Sequence, residues 1–290
     1  MGRMLIRAMT AEDVAACERV SDEAFHTSDV ALHRTGDPPP APRTRQHSAR
    51  WIARTLTMVL TDPDGCVVAE DGEEVVGVAT GFRRDALWCL ATYAVRPGLQ
   101  DGGIGRALLD AALVHARPCA RWMVSASADP RALHRYEEAG FGLLPQSMFF
   151  GAVDRDRVLP PVGLRPGRDE DHRWIDELDS AIRGGTHAPD RATLAVSGSL
   201  VVAEDRSGYV YAGPGTVALL AARDQSTAES LLRGALLDAE PGFELHHVSA
   251  VNGWARDLAL RAGLAESPRG FLGVRGMAAP TSYVHHGALL

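Results

Sequence analysis

The chain has 290 residues, of which 46% are hydrophobic and 23% charged, so it can form one or two folded domains and its composition argues against disorder. Its formal net charge of −7 makes nucleic acid a poor partner, because an acidic protein gains little from contact with phosphates. All 30 basic residues are arginine, which excludes chemistry that needs a lysine, such as a Schiff base.

The predicted elements of the first half alternate between strands and helices. Residues 5–14 predict a strand that leads into a helix, and Asp71-Gly72 predicts the turn of a hairpin between two apolar segments. A buried strand is predicted over 87–95, a helix over 103–117 and another strand over 122–127.

The last helix of this half is marked at both ends. Asp129 is a good N-cap, Pro130 suits the first helical position, and Gly140 suits the position after the helix. Two adjacent prolines within 154–164 then indicate a linker.

The residues after the linker repeat the pattern of those before it. Three matches occur in the same order: Arg7 and Asp13 with Arg165 and Asp171, VVAED at 67–71 with VVAED at 201–205, and Asp129-x-x-Ala132 with Asn252-x-x-Ala255. We infer a tandem repeat, with a first domain over 1–155, a second over 156–278 and a C-terminal tail over 279–290. The first half carries 24 additional residues between its first helix and its second strand.

The segment VRPGLQDGGIGRALL, residues 95–109, places three glycines between a predicted strand and a predicted helix. The start of a helix attracts anions, and glycines allow a phosphate to approach the backbone, although a tight structural turn is an equal alternative. A P-loop is excluded because Ile104 stands where lysine is needed, and a dinucleotide loop is disfavoured because Leu108 replaces the third glycine.

Two motifs in register resemble the GNAT acetyltransferase superfamily. The segment Gln100-x-x-Gly103-x-Gly105 resembles the family's Q/R-x-x-G-x-G/A loop, which binds the pyrophosphate of acetyl-coenzyme A. The segment from Asp129 to Phe141 resembles the family's N-x-x-A-x-x-x-Y-x-x-x-G-F. Asp129 departs from the family's asparagine and adds a negative charge near an anionic cofactor.

The resemblance implies a fold, a cofactor and an acid. The fold class is α/β, an α+β mixed sheet, in two tandem GNAT-like domains that each have a mostly antiparallel sheet flanked by helices. Acetyl-CoA is the implied co-substrate. The residues implied to bind it are Tyr93, Ala94, Val95, Gln100, Asp101, Gly102, Gly103, Ile104, Gly105, Arg106 and Asp129. Tyr136 stands where the family has its general acid, and a core tyrosine is the alternative.

The general base and the acceptor are less well defined. Strand 87–95 has no acidic residue or histidine, which leaves Glu23, His26 or a chain of waters as the base. Long loops in compact domains are usually functional or disordered. We therefore expect residues 23–56 to line the acceptor pocket, with Glu23, His26 and Trp51 nearest the amine, and Trp51 on a docked helix.

The second half keeps the pattern of the fold but loses the motif residues. At an offset of 123, Ser226 replaces Gly103 and Ala259 replaces Tyr136. We interpret it as a degenerate GNAT-like domain, and a residual ligand site in it is the alternative.

The leading function is therefore an acetyl-CoA-dependent N-acetyltransferase that uses direct attack by a primary amine of a small molecule or peptide. The alternative is a non-catalytic acyl-CoA-binding or regulatory module. Four scattered cysteines indicate neither a metal site nor disulfides. With no apolar run of roughly 18 residues and no signal peptide, we expect a cytoplasmic bacterial protein with no membrane partner, as a monomer or homodimer.

Overall fold

In the computed structural model, which describes residues 4–100 and 102–290, thirteen strands form one mixed sheet and eight α-helices accompany it. The strands are β1 (Leu5–Ala8), β2 (Cys66–Asp71), β3 (Glu74–Arg84), β4 (Leu87–Val95), β5 (Arg121–Ala126), β6 (Gly142–Gly151), β7 (Leu164–Pro166), β8 (Ser199–Ala203), β9 (Gly208–Gly213), β10 (Thr216–Ala222), β11 (Phe243–Ser249), β12 (Ala265–Arg275) and β13 (Tyr283–Val284). The helices are α1 (Val14–Leu32), α2 (Arg45–Thr61), α3 (Ile104–Ala116), α4 (Pro130–Glu138), α5 (His172–Arg183), α6 (Arg191–Ser197), α7 (Gln225–Leu237) and α8 (Gly253–Arg261).

The two halves have the same strand pairing. Strand β4 runs parallel to β5, and β10 runs parallel to β11, whereas the other strand pairs are antiparallel. The fold class predicted from the sequence, a mostly antiparallel mixed sheet flanked by helices in each half, is therefore confirmed.

The halves exchange their last strands. Strand β12 of the second half lies between β5 and β6, and β6 of the first half lies between β12 and β11. The sheet is consequently continuous from β1 at one edge to β7 at the other. Because each half completes the sheet of the other, the two cannot separate without breaking strand hydrogen bonds.

One ion pair is repeated in both halves and connects the first strand of each to the turn before its first helix. The Arg7 guanidinium donates two hydrogen bonds to the Asp13 carboxylate, at 2.7 and 2.8 Å. Arg165 does the same to Asp171, at 2.7 Å for both bonds. This shared geometry supports the repeat inferred from the sequence.

Helix α2 is the predicted helix within the additional residues of the first half. The Thr44 hydroxyl accepts a hydrogen bond from the His47 N–H and so caps the helix. Trp51, Thr55 and Met58 are buried at spacings of four and three residues, which places them on one helical face. This face docks α2 onto the core that both halves share.

Buried polar contacts and the C-terminal residues join the halves further. Arg84 of β3 pairs with Asp62 at 3.0 Å and with Asp190 of the second half at 2.8 Å, and all three side chains are buried. The segment predicted as a tail contributes β13, and residues 288–290 are buried. In the described part of the chain, no helix is long and apolar enough to cross a membrane.

Candidate active site

A cleft opens where β4 and β5 separate. The two strands pair from Leu87 to Leu90, opposite Arg121 to Val124, and then diverge. Residues 92–95 of β4 pair with β3 on one side only, within the described chain. The space that opens, which we call the first cleft, is lined by Tyr93, Ala94, Val95, Gln100, Gly105, Ser127, Asp129, Arg131, Ala132 and Arg135, and on its other side by part of α1.

The start of α3 forms one end of this cleft. Gly103 is the N-cap residue with φ of +83°, a left-handed conformation that favours glycine, and it offers no side chain to cap the helix. The first intrahelical bond runs from the Ala107 N–H to the Gly103 carbonyl at 3.0 Å. The preceding N–H groups therefore have no partner within the helix and can bind an anion, which the helix dipole also favours.

Two side chains lie directly over Gly105. A Cβ atom at this position would be 2.6 Å from both the Tyr93 hydroxyl and an Arg135 nitrogen, so a larger residue there requires the ends of these two side chains to shift. Arg135 donates a hydrogen bond to the Tyr93 hydroxyl at 3.1 Å, across the cleft from α4 to β4. About 60 Å³ remains free, well below the roughly 300–1,000 Å³ of typical ligand pockets. A large ligand therefore requires Tyr93 and Arg135 to move.

Tyr136 lies behind Tyr93 and not in the lining of the cleft. It is buried, and its ring makes edge-to-face contacts with Tyr93 and Phe141 at centroid distances of 6.1 and 5.8 Å. Among the described residues, its hydroxyl has no hydrogen-bond partner. Burial raises the pKa of the Tyr136 phenol above its usual value of 10, so the phenol keeps its proton at neutral pH.

The predicted coenzyme-binding residues gather at this cleft. Six of them line it: Tyr93, Ala94, Val95, Gln100, Gly105 and Asp129. Gly102, Gly103, Ile104 and Arg106 lie in the adjoining loop and the first turn of α3, and Asp101 falls outside the described residues. Asp129 caps α4 by accepting a hydrogen bond from the Arg131 N–H at 2.9 Å, as its sequence position predicts.

The predicted acceptor residues are arranged differently. The face of α1 that reaches the cleft carries Ala24, Phe25 and Ser28. Successive residues on a helix are about 100° apart, so Glu23 and His26 fall on either side of that face. Glu23 is exposed, and His26 is half-buried with an Nδ1 atom that has no partner among the described residues. Trp51 is buried and lines a different cavity.

The sequence analysis missed two cations of the cleft, Arg131 and Arg135. Both belong to α4, four residues apart, so they lie on one face of the helix. That spacing after the Asp129 cap was the available signal, because the family pattern considered for this helix leaves positions 131 and 135 unspecified. The Arg135 guanidinium lies close to Gly105 in the first turn of α3.

The corresponding space in the second half, between β10 and β11, is filled. These strands share a single pair, Thr216 with Glu244, before they diverge. Strand β13 then pairs with β10 through Leu220 and Ala221 and occupies the opening. We call this space the second cleft.

The loop that leads into α7 also differs from its counterpart. Residues 96–103 separate β4 from α3, whereas only Arg223 and Asp224 separate β10 from α7. Asp224 is the N-cap, and its carboxylate accepts a hydrogen bond from the Thr227 N–H at 2.9 Å. The residue in place of Gly103 is therefore Asp224, and the offset of 123 that pointed to Ser226 is wrong at this loop.

Part of the chain is similar to a known protein family. Residues 29–141 match the family described as Acetyltransferase (GNAT) family. No curated protein sequence matches the chain. This segment of the chain therefore resembles a GNAT acetyltransferase domain, and it contains the glycine loop and most of the lining of the first cleft.

Solved structures share the fold over the whole chain. A candidate acetyltransferase from Pyrococcus horikoshii superposes with a TM-score of 0.73 at 18% identity, over 99% of this chain and 95% of that one. A GCN5-related N-acetyltransferase from Sphaerobacter thermophilus gives 0.60 at 15% identity, over 96% and 97%. A tandem GNAT protein from the clavulanic acid biosynthesis pathway, solved without AcCoA, gives 0.58 at 15% identity, over 96% and 100%. At these identities the likeness shows the fold.

Proposed function

We propose that the chain is an acetyl-CoA-dependent N-acetyltransferase with one coenzyme site, the first cleft. The observation that carries this proposal is the combination, within the described residues, of an unpaired edge on β4 with a helix start at Gly103 that no side chain caps. The strand edge suits the amide groups of a pantetheine arm, and the helix start suits a pyrophosphate. Backbone N–H groups near Val95 would polarise the acetyl carbonyl.

Arg135 and Tyr136 are assigned separate roles in this proposal. When the coenzyme enters, the Arg135 guanidinium leaves the Tyr93 hydroxyl and pairs with phosphate oxygen at the start of α3. Tyr136 is protonated at neutral pH, and once Tyr93 has moved aside for the coenzyme it donates that proton to the departing thiolate.

Direct transfer from coenzyme to amine is favoured over an acyl-enzyme. Cys89 is fully buried in β4, and burial raises the pKa of its thiol to about 12, so almost none of it is thiolate at neutral pH. Burial raises the pKa of the Cys119 thiol as well. Among the described cleft residues the single carboxylate is Asp129, which already caps α4, so water is the route by which the amine loses its proton.

The test is thiol release from acetyl-CoA across a panel of primary amines, together with calorimetric titration of the coenzyme. Amine-dependent thiol release with one coenzyme per chain is the expected result. The alternative, a non-catalytic acyl-CoA-binding module, is favoured by one observation, the position of Tyr136 outside the lining of the cleft. Coenzyme binding at one site with no thiol release for any amine would support that alternative.

A further inference from the structure

A larger cavity lies where α2 of the first half meets α6 of the second. Its volume is about 790 Å³, within the range of small-molecule sites. The residues that give it its character are Arg43, Arg50, Arg54, His47, Trp51 and His286, and we call it the arginine cavity. No aspartate or glutamate is among the described residues that line it.

Two of its three arginines have no counter-charge. Arg43 pairs with Glu18 at 3.2 Å, whereas Arg50 and Arg54 make no ion pair with any described residue. Their Nε atoms are shielded from solvent and have no hydrogen-bond acceptor in the described chain. Guanidiniums that are partly buried without an anion are unfavourable, because each has lost water and gained no partner. Their arrangement is that of a site prepared for an anion.

The surroundings of Arg54 strengthen this conclusion. Burial, and next the charge of Arg43, lower the pKa of Arg54 to about 10, so the group remains a cation at neutral pH but in an unfavourable setting. Its guanidinium lies 6.0 Å from the centre of the Trp51 ring, which holds it in the cavity. An anion in the cavity would reverse the unfavourable contribution of both charges.

His286 supplies a further donor. The N–H groups of Ala288 and Leu289 both donate to its Nδ1 atom, at 3.1 Å. Burial lowers the pKa of His286 to about 3, so the ring is neutral and carries its hydrogen on Nε2. The ring therefore adds a hydrogen-bond donor, and no competing negative charge, to the lining.

The arginine cavity adjoins the first cleft. The Arg43 guanidinium lies 5.9 Å from the centre of the Phe25 ring and 5.6 Å from that of Trp51. Phe25 lines the first cleft, and Trp51 lines the arginine cavity. Arg43 therefore contacts one residue of each space.

We propose that the arginine cavity binds a carboxylate or phosphate group of the acceptor, so that the substrates are small amines that carry an anion. This inference rests on the proposed function, since it names the substrate class of that reaction. Arg50 and Arg54 hold the anion, and the amine extends past Phe25 towards the thioester.

The first experiment measures binding without turnover. Inorganic phosphate and succinate are titrated by calorimetry into the full chain and into the double variant Arg50→Gln/Arg54→Gln. The matched control is Arg45→Gln, an exposed arginine of α2 outside the cavity lining. We expect one anion per chain, with affinity reduced about 10-fold or more in the double variant and unchanged in the control. If the double variant does not fold, Arg50→Gln alone keeps the Arg54–Trp51 contact and should show a smaller loss.

The second experiment compares matched amines as acceptors: β-alanine with β-alaninamide, and 3-aminopropyl phosphate with 3-aminopropanol. We expect the anionic member of at least one pair to have a kcat/KM about 10-fold higher, through KM, and the double variant to lose that preference with unchanged affinity for acetyl-CoA.

The outcomes separate the two proposals. Turnover without an anion preference, or anion affinity that does not depend on Arg50 and Arg54, overturns this inference and leaves the acetyltransferase proposal in place. Arginine-dependent anion binding with no turnover on any amine defeats the proposed function but keeps the anion site. Phosphate that binds through these arginines without competing with the acceptor shows a free effector anion and overturns the assignment to the acceptor.

Discussion

The first and second clefts form at the same place in each half, but the chain fills the second and leaves the first open. Both open where a parallel strand pair diverges, and both are followed by a helix. In the second cleft β13 lies against β10, and the Asp224 carboxylate caps the helix. In the first cleft, no described residue pairs with the outer edge of β4 beyond Leu90 or caps the start of α3 with a side chain. The difference teaches that the fold alone does not make a coenzyme site, because the same strands and helix serve as a packed interior when the chain fills the opening itself.

The contents of the second cleft leave little for a ligand to gain. The edge of β10 already has its hydrogen bonds, including one from the Ala222 N–H to the Ser282 carbonyl at 3.0 Å. A coenzyme would have to displace buried β13 and bring phosphates near the negative charge of Asp224. The backbone edge of β4, in contrast, still needs partners, which a bound ligand can supply.

The largest effect should come from a negative charge at the start of α3. Gly102→Glu places a carboxylate where we propose the pyrophosphate binds, and coenzyme affinity should fall about 100-fold or more, as measured by calorimetry. Gly102 is preferred to Gly103 for this test, because Gly103 has φ of +83° and any side chain there adds backbone strain. Gly103→Glu should also abolish binding.

The matched control is Ser226→Glu, an exposed position in the first turn of α7. It should leave affinity and the stoichiometry of one unchanged. If the wild-type chain bound coenzyme at two equivalent sites, or if the Gly102 variant bound it with full affinity, the proposal that only the first cleft binds coenzyme would be wrong.

The second effect concerns Tyr136, whose counterpart in the second half is Ala259. Tyr136→Phe keeps the contacts with Tyr93 and Phe141 and removes only a hydroxyl that has no partner among the described residues. We expect kcat to fall about 100-fold, with coenzyme affinity and thermal stability nearly unchanged. Tyr211→Phe, a buried tyrosine of β9, is the control and should keep wild-type turnover. Wild-type kcat in the Tyr136 variant would make this residue a packing residue.

Local features of the site were predictable from the sequence because each depends on a few neighbouring residues. Asp129 and Gly140 bound α4 as expected, and α3 begins directly after Gly103, close to the predicted start at residue 103. The exchange of β6 and β12 was not predictable. An alternating apolar pattern specifies a strand but not the partner it takes, and a tandem repeat offers two equivalent partners.

Side-chain direction and long-range contact were the other limits. On α1, successive side chains point about 100° apart around the helix axis. Phe25 therefore reaches the first cleft, whereas Glu23 and His26 do not. The C-terminal residues were interpreted as a tail because no local pattern shows that β13 fills the second cleft. The arginine cavity depends on α2 meeting α6, which no short segment of the sequence encodes.

A moderate effect should follow from changing the connection between α1 and α2, which has no counterpart of similar length in the second half. Replacing residues 35–40 with two glycines keeps Arg43, which binds Glu18, and the Thr44 cap of α2. Because we propose that this region borders the acceptor, its KM should change about 3- to 10-fold while coenzyme affinity stays constant. Steady-state kinetics with the best amine of the panel measure this KM. An unchanged kcat/KM for the acceptor would show that the connection has no part in acceptor binding.

The smallest effect should be on stability, from changes to the ion pair that both halves share. These pairs are Arg7–Asp13 and Arg165–Asp171. Hydrogen bonding to Arg7 lowers the pKa of Asp13 from 3.8 to about 2, and Arg165 likewise holds the pKa of Asp171 well below its usual range. A carboxylate whose pKa is lowered by folding stabilises the folded state above its unfolded pKa. That contribution disappears as the pH falls from about 4 towards 2.

Asp171→Asn should lower Tm at pH 7 by about 2–4 °C, and Asp13→Asn by less. The reason is burial: the Asp171 side chain is 2% exposed and also accepts a hydrogen bond from the Trp174 Nε1–H at 3.0 Å, whereas Asp13 is 11% exposed. Between pH 4 and pH 2.5 each variant should lose less stability than the wild type, since it has one fewer carboxylate to protonate. Calorimetric scans across this range measure both quantities. Equal Tm losses for the two variants at pH 7 would mean that the repeated ion pair contributes alike to both halves, and that the Trp174 bond to buried Asp171 contributes no more than the Thr10 hydroxyl bond to Asp13.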